Sequence, residues 1–290
     1  MNEEPALPSK THKDENFPVA SALIAPRHRA TILAYYRFAR GADDVADNGS
    51  LRPEEKLARL DLFEATLLGH SDSVEDAIPL RKALSERKLS AQHALDLLHA
   101  FRMDAVKTRY ANWDELMEYC AYSAAPVGRF VLDVHGESRT TWPASDALCA
   151  ALQIINHLQD CAADYRNHDR VYIPLDHLAW EGIGVEALGK GHASRRLRAC
   201  LKRVAEETAP LISHGAYLSG QVRDFRLGLE TAVIARLAHV LNQGLLTRDP
   251  LCQRVHLSKP GFLGWTLIGI MDGLMGRCRR IYRSPRLEDA

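Results

Sequence analysis

The sequence predicts an all-α, single-domain protein, and three observations lead there. Apolar residues recur at three- and four-residue spacing in a succession of segments from Arg27 to Tyr282. No stretch alternates apolar and polar residues as a half-buried strand would, and no internal repeat or low-complexity tract interrupts the pattern. The 290 residues show no compositional break, and a chain of that length can bury a substantial core as one unit.

Taken in order, residues 1–15 form a polar lead-in carrying Glu3, Glu4, Lys10, Lys13 and Asp14, without the apolar core of a secretory signal. The domain is expected over 16–284, with 285–290 as a tail. Asn16-Phe17-Pro18 opens it, and a short helix is expected from Val19 to Ile24. Pro26 turns the chain into a first long helix, Arg27 to Asp47, with acidic residues in its last turns. Acids at a helix C-terminus oppose the macrodipole, a local cost that a bound cation would offset. Pro53, Glu54 and Glu55 begin the next helix, whose Leu57, Leu60, Phe63 and Leu67 make a core stripe up to Gly69. Ser71 to Asp76 reads as a polar loop, and Ser90 as the N-cap of a helix from Ala91 to Thr108.

Asn112 with Glu115 makes a capping-box-like start to a helix running through Tyr119 and Tyr122. Its continuation, Ser123-Ala124-Ala125-Pro126-Val127-Gly128-Arg129, predicts a kink at the proline and a close helix approach. Small side chains there also leave room for a long ligand. A turn over Gly136 to Pro143 leads to a central helix from Asp146 to Arg166. A polar loop then returns to the core at Val171 to Leu175, and Gly182 to Gly191 is a surface loop. Further helices are expected over Ala193 to Gly220, Leu229 to Leu246 and Gly261 to Tyr282. The last carries an apolar run, Phe262 to Met271, cut short by Asp272 and followed by Arg277, Arg279, Arg280 and Arg283. That run falls short of the roughly 20 residues needed to span a bilayer, so both core packing and contact with a membrane interface fit it.

The central helix places Asn156, Asp160 and Asp164 at i, i+4 and i+8, one amide and two carboxylates on one face beside an apolar stripe of Leu148, Ala151, Leu152, Ile155, Leu158 and Ala162. Like charges at this spacing repel, so such a stripe calls for a cation. All-oxygen donors suit Mg²⁺, which keeps waters and accepts phosphate oxygens in the rest of its shell. The first helix repeats the theme: Tyr36, Arg40, Asp43 and Asp47 share a narrow face, with Asp44 beside it. Two acidic helix ends facing each other would hold a small Mg²⁺ cluster, and Arg40 and Tyr36 would reach the same phosphates. Alone, either motif reads as a solvated face. The pair, bordered by Ala, Leu and Val, does not.

Lys+Arg and Asp+Glu both total 37, so no overall charge bias points to nucleic acid, and an anionic substrate must be drawn by a local site. The six cysteines, Cys120, Cys149, Cys161, Cys200, Cys252 and Cys278, include no CxxC pair and read as small core hydrophobes in a reducing, cytoplasmic setting.

These motifs resemble those of the squalene and phytoene synthases, and the likeness runs from Asn16 to about Tyr282. Asp43-Asp44-Val45-Ala46-Asp47, preceded by Tyr36 and Arg40, looks like the family's first aspartate-rich motif. Asn156, Asp160 and Asp164, followed by Arg170-Val171-Tyr172-Ile173-Pro174, look like the second. The resemblance implies an isoprenoid-synthase bundle with a central apolar cavity below a Mg²⁺–diphosphate site. Metal ligands would be Asp43, Asp44, Asp47, Asn156, Asp160 and Asp164. Within the family the likeness leans to the bacterial hydroxysqualene synthase branch of hopanoid biosynthesis, through Glu15 to Ser21, Ser123 to Arg129 and Gln159-Asp160. Condensing members usually carry a phosphate-binding Ser/Lys stretch before the equivalent of Phe17 and Arg at the equivalent of Gln159. Losing both fits a substrate with one diphosphate.

The implied reaction is ionisation of presqualene diphosphate and capture of the rearranged cation by water, between a presqualene diphosphate synthase upstream and a reductase downstream. Arg40, Arg170, Tyr36 and Tyr172 would bond the leaving group. Gln159, Phe17, Phe38, Tyr122, Val127 and Gly128 would contact substrate, with Phe130 a further aromatic candidate. No residue is identified to position the water; His157 and His135 are candidates, with a structural role as the alternative reading of each. Head-to-head condensation of two farnesyl diphosphates and a non-catalytic assembly factor of the same fold stay open as alternatives. Peripheral contact with the inner membrane face through the last helix is the remaining partner expectation.

Overall fold

The computed structural model describes residues 23–283, with side chains as far as Arg277. The predicted short helix over Val19 to Ile24, and Phe17, lie largely or wholly outside that range; Leu23 and Ile24 form a turn. Helix α1, Pro26–Asp47, starts with proline in its first turn, where a missing N–H costs nothing, and buries Ile32, Tyr35, Phe38, Ala42 and Ala46. Helices α2 (Pro53–Leu67), α3 (Ile78–Arg87) and α4 (Gln92–Val106) pack around it. The capping box at α2 involves Arg52 and Glu55. Helix α3, within a stretch given no element by its weak periodicity, follows a 3₁₀ turn at Glu75–Ala77.

The expected kink is a break. Helix α5, Trp113–Ser123, is capped by Asn112, whose side chain accepts from the Glu115 N–H. It ends at Ala124, and α6, Ala125–Val134, restarts with Pro126 in its first turn. A proline inside a helix removes one hydrogen bond and clashes with the preceding turn, so the chain places it where neither penalty applies. Gly128 then lets α6 approach the central helix α7, Trp142–His168. A Cβ at Gly128 would lie 2.4 Å from Ser145 Oγ and 2.6 Å from Cys149 Sγ.

At 27 residues α7 is about 40 Å long, and it forms the axis of the bundle. Its Leu148 backbone receives Gly215 of α9 (Arg195–Gly215), where a Cβ would lie 2.8 Å from Leu148 Cα. The polar loop expected after Arg166 begins two residues later, at Asp169, which takes a left-handed φ of 49°. Val171 then bridges to Arg109, and Val171 and Ile173 return to the core as predicted. Short α8 (Leu175–Trp180) follows. The single helix expected over Ala193 to Gly220 is α9 plus the one-turn α10, Leu218–Gln221. Helix α11, Phe225–Thr247, packs on α7, α9 and α12 (Lys259–Arg283). Gly269 and Gly273 of α12 face α11: a Cβ at Gly269 would lie 2.7 Å from Val233 Cα. No strand occurs among the described residues. Of the cysteines with described side chains, Cys120, Cys149, Cys161 and Cys200 lie in the bundle interior or line its cavity, whereas Cys252 is an exposed thiol in the loop before α12 and corrects the expectation for that residue; the Cys278 side chain lies outside the described range.

Candidate active site

Helices α1 and α7 change polarity at the same level of the bundle. On α1, Ile32, Tyr35, Tyr36 and Ala39 line an apolar chamber of about 290 Å³, and one turn later Arg40, Asp43, Asp44 and Asp47 line a polar cleft of about 840 Å³. On α7, Ser145, Leu148, Cys149 and Leu152 belong to the chamber, and Gln153, Asn156, His157, Asp160 and Asp164 to the cleft. The i, i+4 spacing that repeats acids along each helix continues backwards as an apolar stripe, so one helical face supplies both surfaces.

The carboxylates converge. Asp164 is pushed up to about 7 by burial, by Asp160 one turn away and by Asp47 across the cleft, against the opposing pull of Arg170. Asp43 is likewise held well above the ordinary carboxylate range by burial and by Asp47, with Arg40 opposing. The α7 array thus feels the charge of the α1 array. Among the described residues no three His, Cys, Asp or Glu side chains close into a cage for a bare ion. An open, all-oxygen, mutually repelling donor set fits a hydrated divalent cation that completes its shell with phosphate oxygens.

Arginines complete the electrostatics. Arg40 donates to Asp43 at 2.7 Å and to Asp44 at 3.2 Å. Arg170, buried, donates to Asp47 and to the Ala46 carbonyl, and Lys56 Nζ reaches the same carbonyl at 2.8 Å. The cost of placing acids at the α1 C-terminus is therefore already offset by the protein's own cations, not left wholly to a bound ion. Arg59 of α2 also lines the cleft.

Sequence reasoning missed the cleft floor. Asp104 of α4, buried, accepts the Tyr119 hydroxyl at 2.7 Å and the Tyr172 hydroxyl at 2.9 Å, and burial pushes its carboxyl up to about 6. His157 stacks on Tyr172 at 3.6 Å between ring centroids and is pushed down to about 3 by burial and Arg170, so its ring is neutral. An aspartate inside the apolar stripe of α4, between Met103 and Ala105, was the available signal.

The other predicted contacts divide. Tyr36, Val127, Gly128 and Phe130 line the chamber. Tyr172, Arg40 and Arg170 line the cleft, but the Tyr172 hydroxyl donates to Asp104 rather than standing as a donor to a leaving group, which corrects the role expected of it. Three further expectations are corrected. Phe38 is fully buried against Phe63 and is core, because its α1 position faces α2. Tyr122 packs on His99 at 4.5 Å and lines neither cavity. Gln159 is turned away from the cleft and donates to the Val255 carbonyl, because it lies 100° around α7 from Asp160. His135 packs on His28, remote from both arrays.

A helical bundle that sets two carboxylate arrays beside an apolar chamber is the arrangement of an enzyme suited to an apolar chain with an anionic head. The squalene/phytoene synthase family profile matches residues 10–260, and the chain belongs to that family. It is 56% identical over 247 residues to a hydroxysqualene synthase of Sinorhizobium fredii, covering 85% of each chain. It is 49% identical over 270 residues to one of Zymomonas mobilis, covering 92% of this chain and 91% of that relative. A solved squalene synthase of Alicyclobacillus acidocaldarius superposes with a TM-score of 0.68 at 27% identity, over 78% of this chain and 88% of that one. Enzymes of the family are generally dependent on divalent metals.

Proposed function

We propose that this enzyme converts presqualene diphosphate to hydroxysqualene and diphosphate with Mg²⁺ on Asp43, Asp44, Asp47, Asn156, Asp160 and Asp164. The observation that carries the choice of a single-diphosphate substrate is the state of the cleft arginines. Arg40 and Arg170 are already paired with α1 carboxylates, and among the described residues Arg59 is the further guanidinium lining the cleft, enough for one diphosphate head and few for two. This replaces the argument from Gln159, which does not face the cleft. The names of the relatives point the same way.

Bound Mg²⁺ would supply Lewis-acid neutralisation of charge developing on the leaving group. Arg40 and Arg170, held in fixed directions by their own carboxylate partners, and Arg59 beside them would donate hydrogen bonds to its oxygens. Below, Ile32, Leu148, Leu152 and Ile234 wall the chamber and keep bulk water from the hydrocarbon. Phe130, stacked on Tyr35 at 4.1 Å, lines it too. Aromatic faces stabilise a nearby carbocation by about 0.5–2 kcal/mol each. Incubation with Mg²⁺ and either presqualene or farnesyl diphosphate, followed by lipid identification, tests the proposal. Hydroxysqualene from the first substrate alone is expected; a condensation product from farnesyl diphosphate would replace this reading with the condensing one.

The reaction implies an enzyme upstream that joins two C15 diphosphates and a reductive step downstream. The apolar substrate also gives a use to α12. No described helix is long and apolar enough to cross a membrane. Helix α12 nevertheless exposes Leu263, Leu267, Met271, Leu274 and Met275. Those side chains lying in the interface of an anionic bilayer would place the enzyme beside its lipid product. Flotation with anionic vesicles is expected, and its loss in Leu267→Glu/Met271→Glu; a wild-type protein that stays unbound would remove this part.

A further inference from the structure

Three elements outside the metal arrays meet at the cleft floor. Asp104 comes from α4, Tyr119 from α5, and Tyr172 from the segment after α7. Each phenol donates its proton to a different oxygen of the same carboxylate, at 2.7 and 2.9 Å. The two rings lie 5.3 Å apart, and both line the cleft. A hydroxyl whose proton is committed in this way offers only lone pairs to anything else. The floor therefore presents two phenolic oxygens as acceptors, backed by one buried carboxylate.

Water that captures a carbocation attacks through its oxygen lone pair and must hand a proton to an acceptor. We infer that Tyr119 and Tyr172, held by Asp104, orient the capturing water and carry its proton away. The inference rests on the hydroxysqualene reading of the site. As the water oxygen forms its bond to the cationic carbon, one water O–H breaks and its proton moves to a tyrosine oxygen. That tyrosine passes its own proton to Asp104. Cation, water and carboxylate become alcohol and carboxylic acid, with the tyrosine regenerated and no redox partner required. The proton later leaves by the same tyrosine to the open cleft.

Geometry also selects against the other bases nearby. Asp43, Asp47, Asp160 and Asp164 belong to the cation-binding arrays. His157 is stacked face-on against Tyr172, and its Nε2 lies 3.1 Å from the Gln153 amide nitrogen. Asp104 is the cleft carboxylate that belongs to neither array. It acts through the phenols, as a positioning residue.

The test feeds presqualene diphosphate and Mg²⁺ to wild type, Asp104→Asn, Tyr119→Phe, Tyr172→Phe and the double phenylalanine variant in ¹⁸O-labelled water. Diphosphate release and C30 products are quantified together. Wild type should give ¹⁸O-labelled hydroxysqualene. Asp104→Asn should lower hydroxysqualene formed per diphosphate released by at least tenfold. Elimination polyenes and alcohols from unrearranged cations should take its place, since ionisation does not need the relay. Each single phenylalanine variant should lower that ratio about threefold, and the double variant as much as Asp104→Asn. An unchanged ratio in the double variant overturns the inference while leaving the substrate reading intact, and it decides the matter even if Asp104→Asn fails to fold. Wild type that releases diphosphate without making hydroxysqualene overturns both.

Discussion

On α1 the carboxylates come with cations of their own: Arg40 holds Asp43 and Asp44, Arg170 holds Asp47, and Lys56 sits at the helix end. On α7, no Lys or Arg among the described residues comes within ion-pairing distance of Asp160 or Asp164; the neutral His157 lies 4.0 Å from Asp164. The α1 array is thus a built ion-pair network. The α7 carboxylates feel Arg170 without an ion pair to it. The difference teaches where bound Mg²⁺ matters for stability as well as catalysis: on α7 the repulsion is opposed by Arg170 from a distance, without a contact ion pair.

The sharpest way to break this contrast is Asp160→Ala. Turnover should fall by three decades or more, about 4 kcal/mol of transition-state stabilisation, while the metal-free melting temperature holds or rises because a repulsive charge has gone. A steady-state assay beside a thermal melt checks both, and full activity in EDTA would remove the metal role altogether. Arg170→Ala should do the reverse to stability, lowering it by about 2–4 kcal/mol by leaving Asp47 without its donor and the Ala46 carbonyl with Lys56 alone. Breaking a fully buried pair costs about 3–5 kcal/mol, and the partly exposed Asp47 side chain reduces that. Urea unfolding without metal reads it directly.

Acidity sharpens the comparison further. Asp164 is raised in the folded protein to about 7 from an ordinary 3.8. The folded state therefore binds more protons than the unfolded state between those values, and the metal-free protein should lose stability as pH rises from about 4 to about 7. Mg²⁺ should flatten the upper part of that decline and release protons as it binds near pH 6. Melts across that range, and calorimetry in two buffers of different ionisation enthalpy, check the two effects; Asp164→Asn should weaken both. The smallest effect belongs to Lys56→Met, which removes one cation from a helix C-terminus and should cost about 0.3–1 kcal/mol.

Much of this was legible in the sequence because both arrays obey a local rule. Asp43/Asp47 and Asn156/Asp160/Asp164 sit at helical spacing within strongly periodic segments, so their common face followed from α-helix geometry alone. The helices holding them were placed to within a few residues. Tertiary packing decided the rest. Whether Phe38, Tyr122 or Gln159 faces a cavity depends on which neighbour occupies the remaining sides of its helix, and one residue of rotation moved Gln159 from cleft to core. Asp104 gave a signal too weak to assign for the same reason: a lone acid in an apolar stripe gains meaning only when Tyr119 and Tyr172 arrive from two other elements. The α5–α6 break at Ala124 turned on whether the chain tolerates Pro126 inside a helix or restarts around it. Periodicity does not distinguish those outcomes.

The most direct test of the central claim is a crystal structure with Mn²⁺ in place of Mg²⁺ and a non-ionising isoprenoid thiodiphosphate, with the metal located by its anomalous scattering. Ions lying between the α1 and α7 carboxylates, bridged by diphosphate oxygens with the hydrocarbon entering the chamber lined by Tyr36, Leu152 and Phe130, are the predicted result. Ions held by one array alone, or a diphosphate seated away from both, would contradict it.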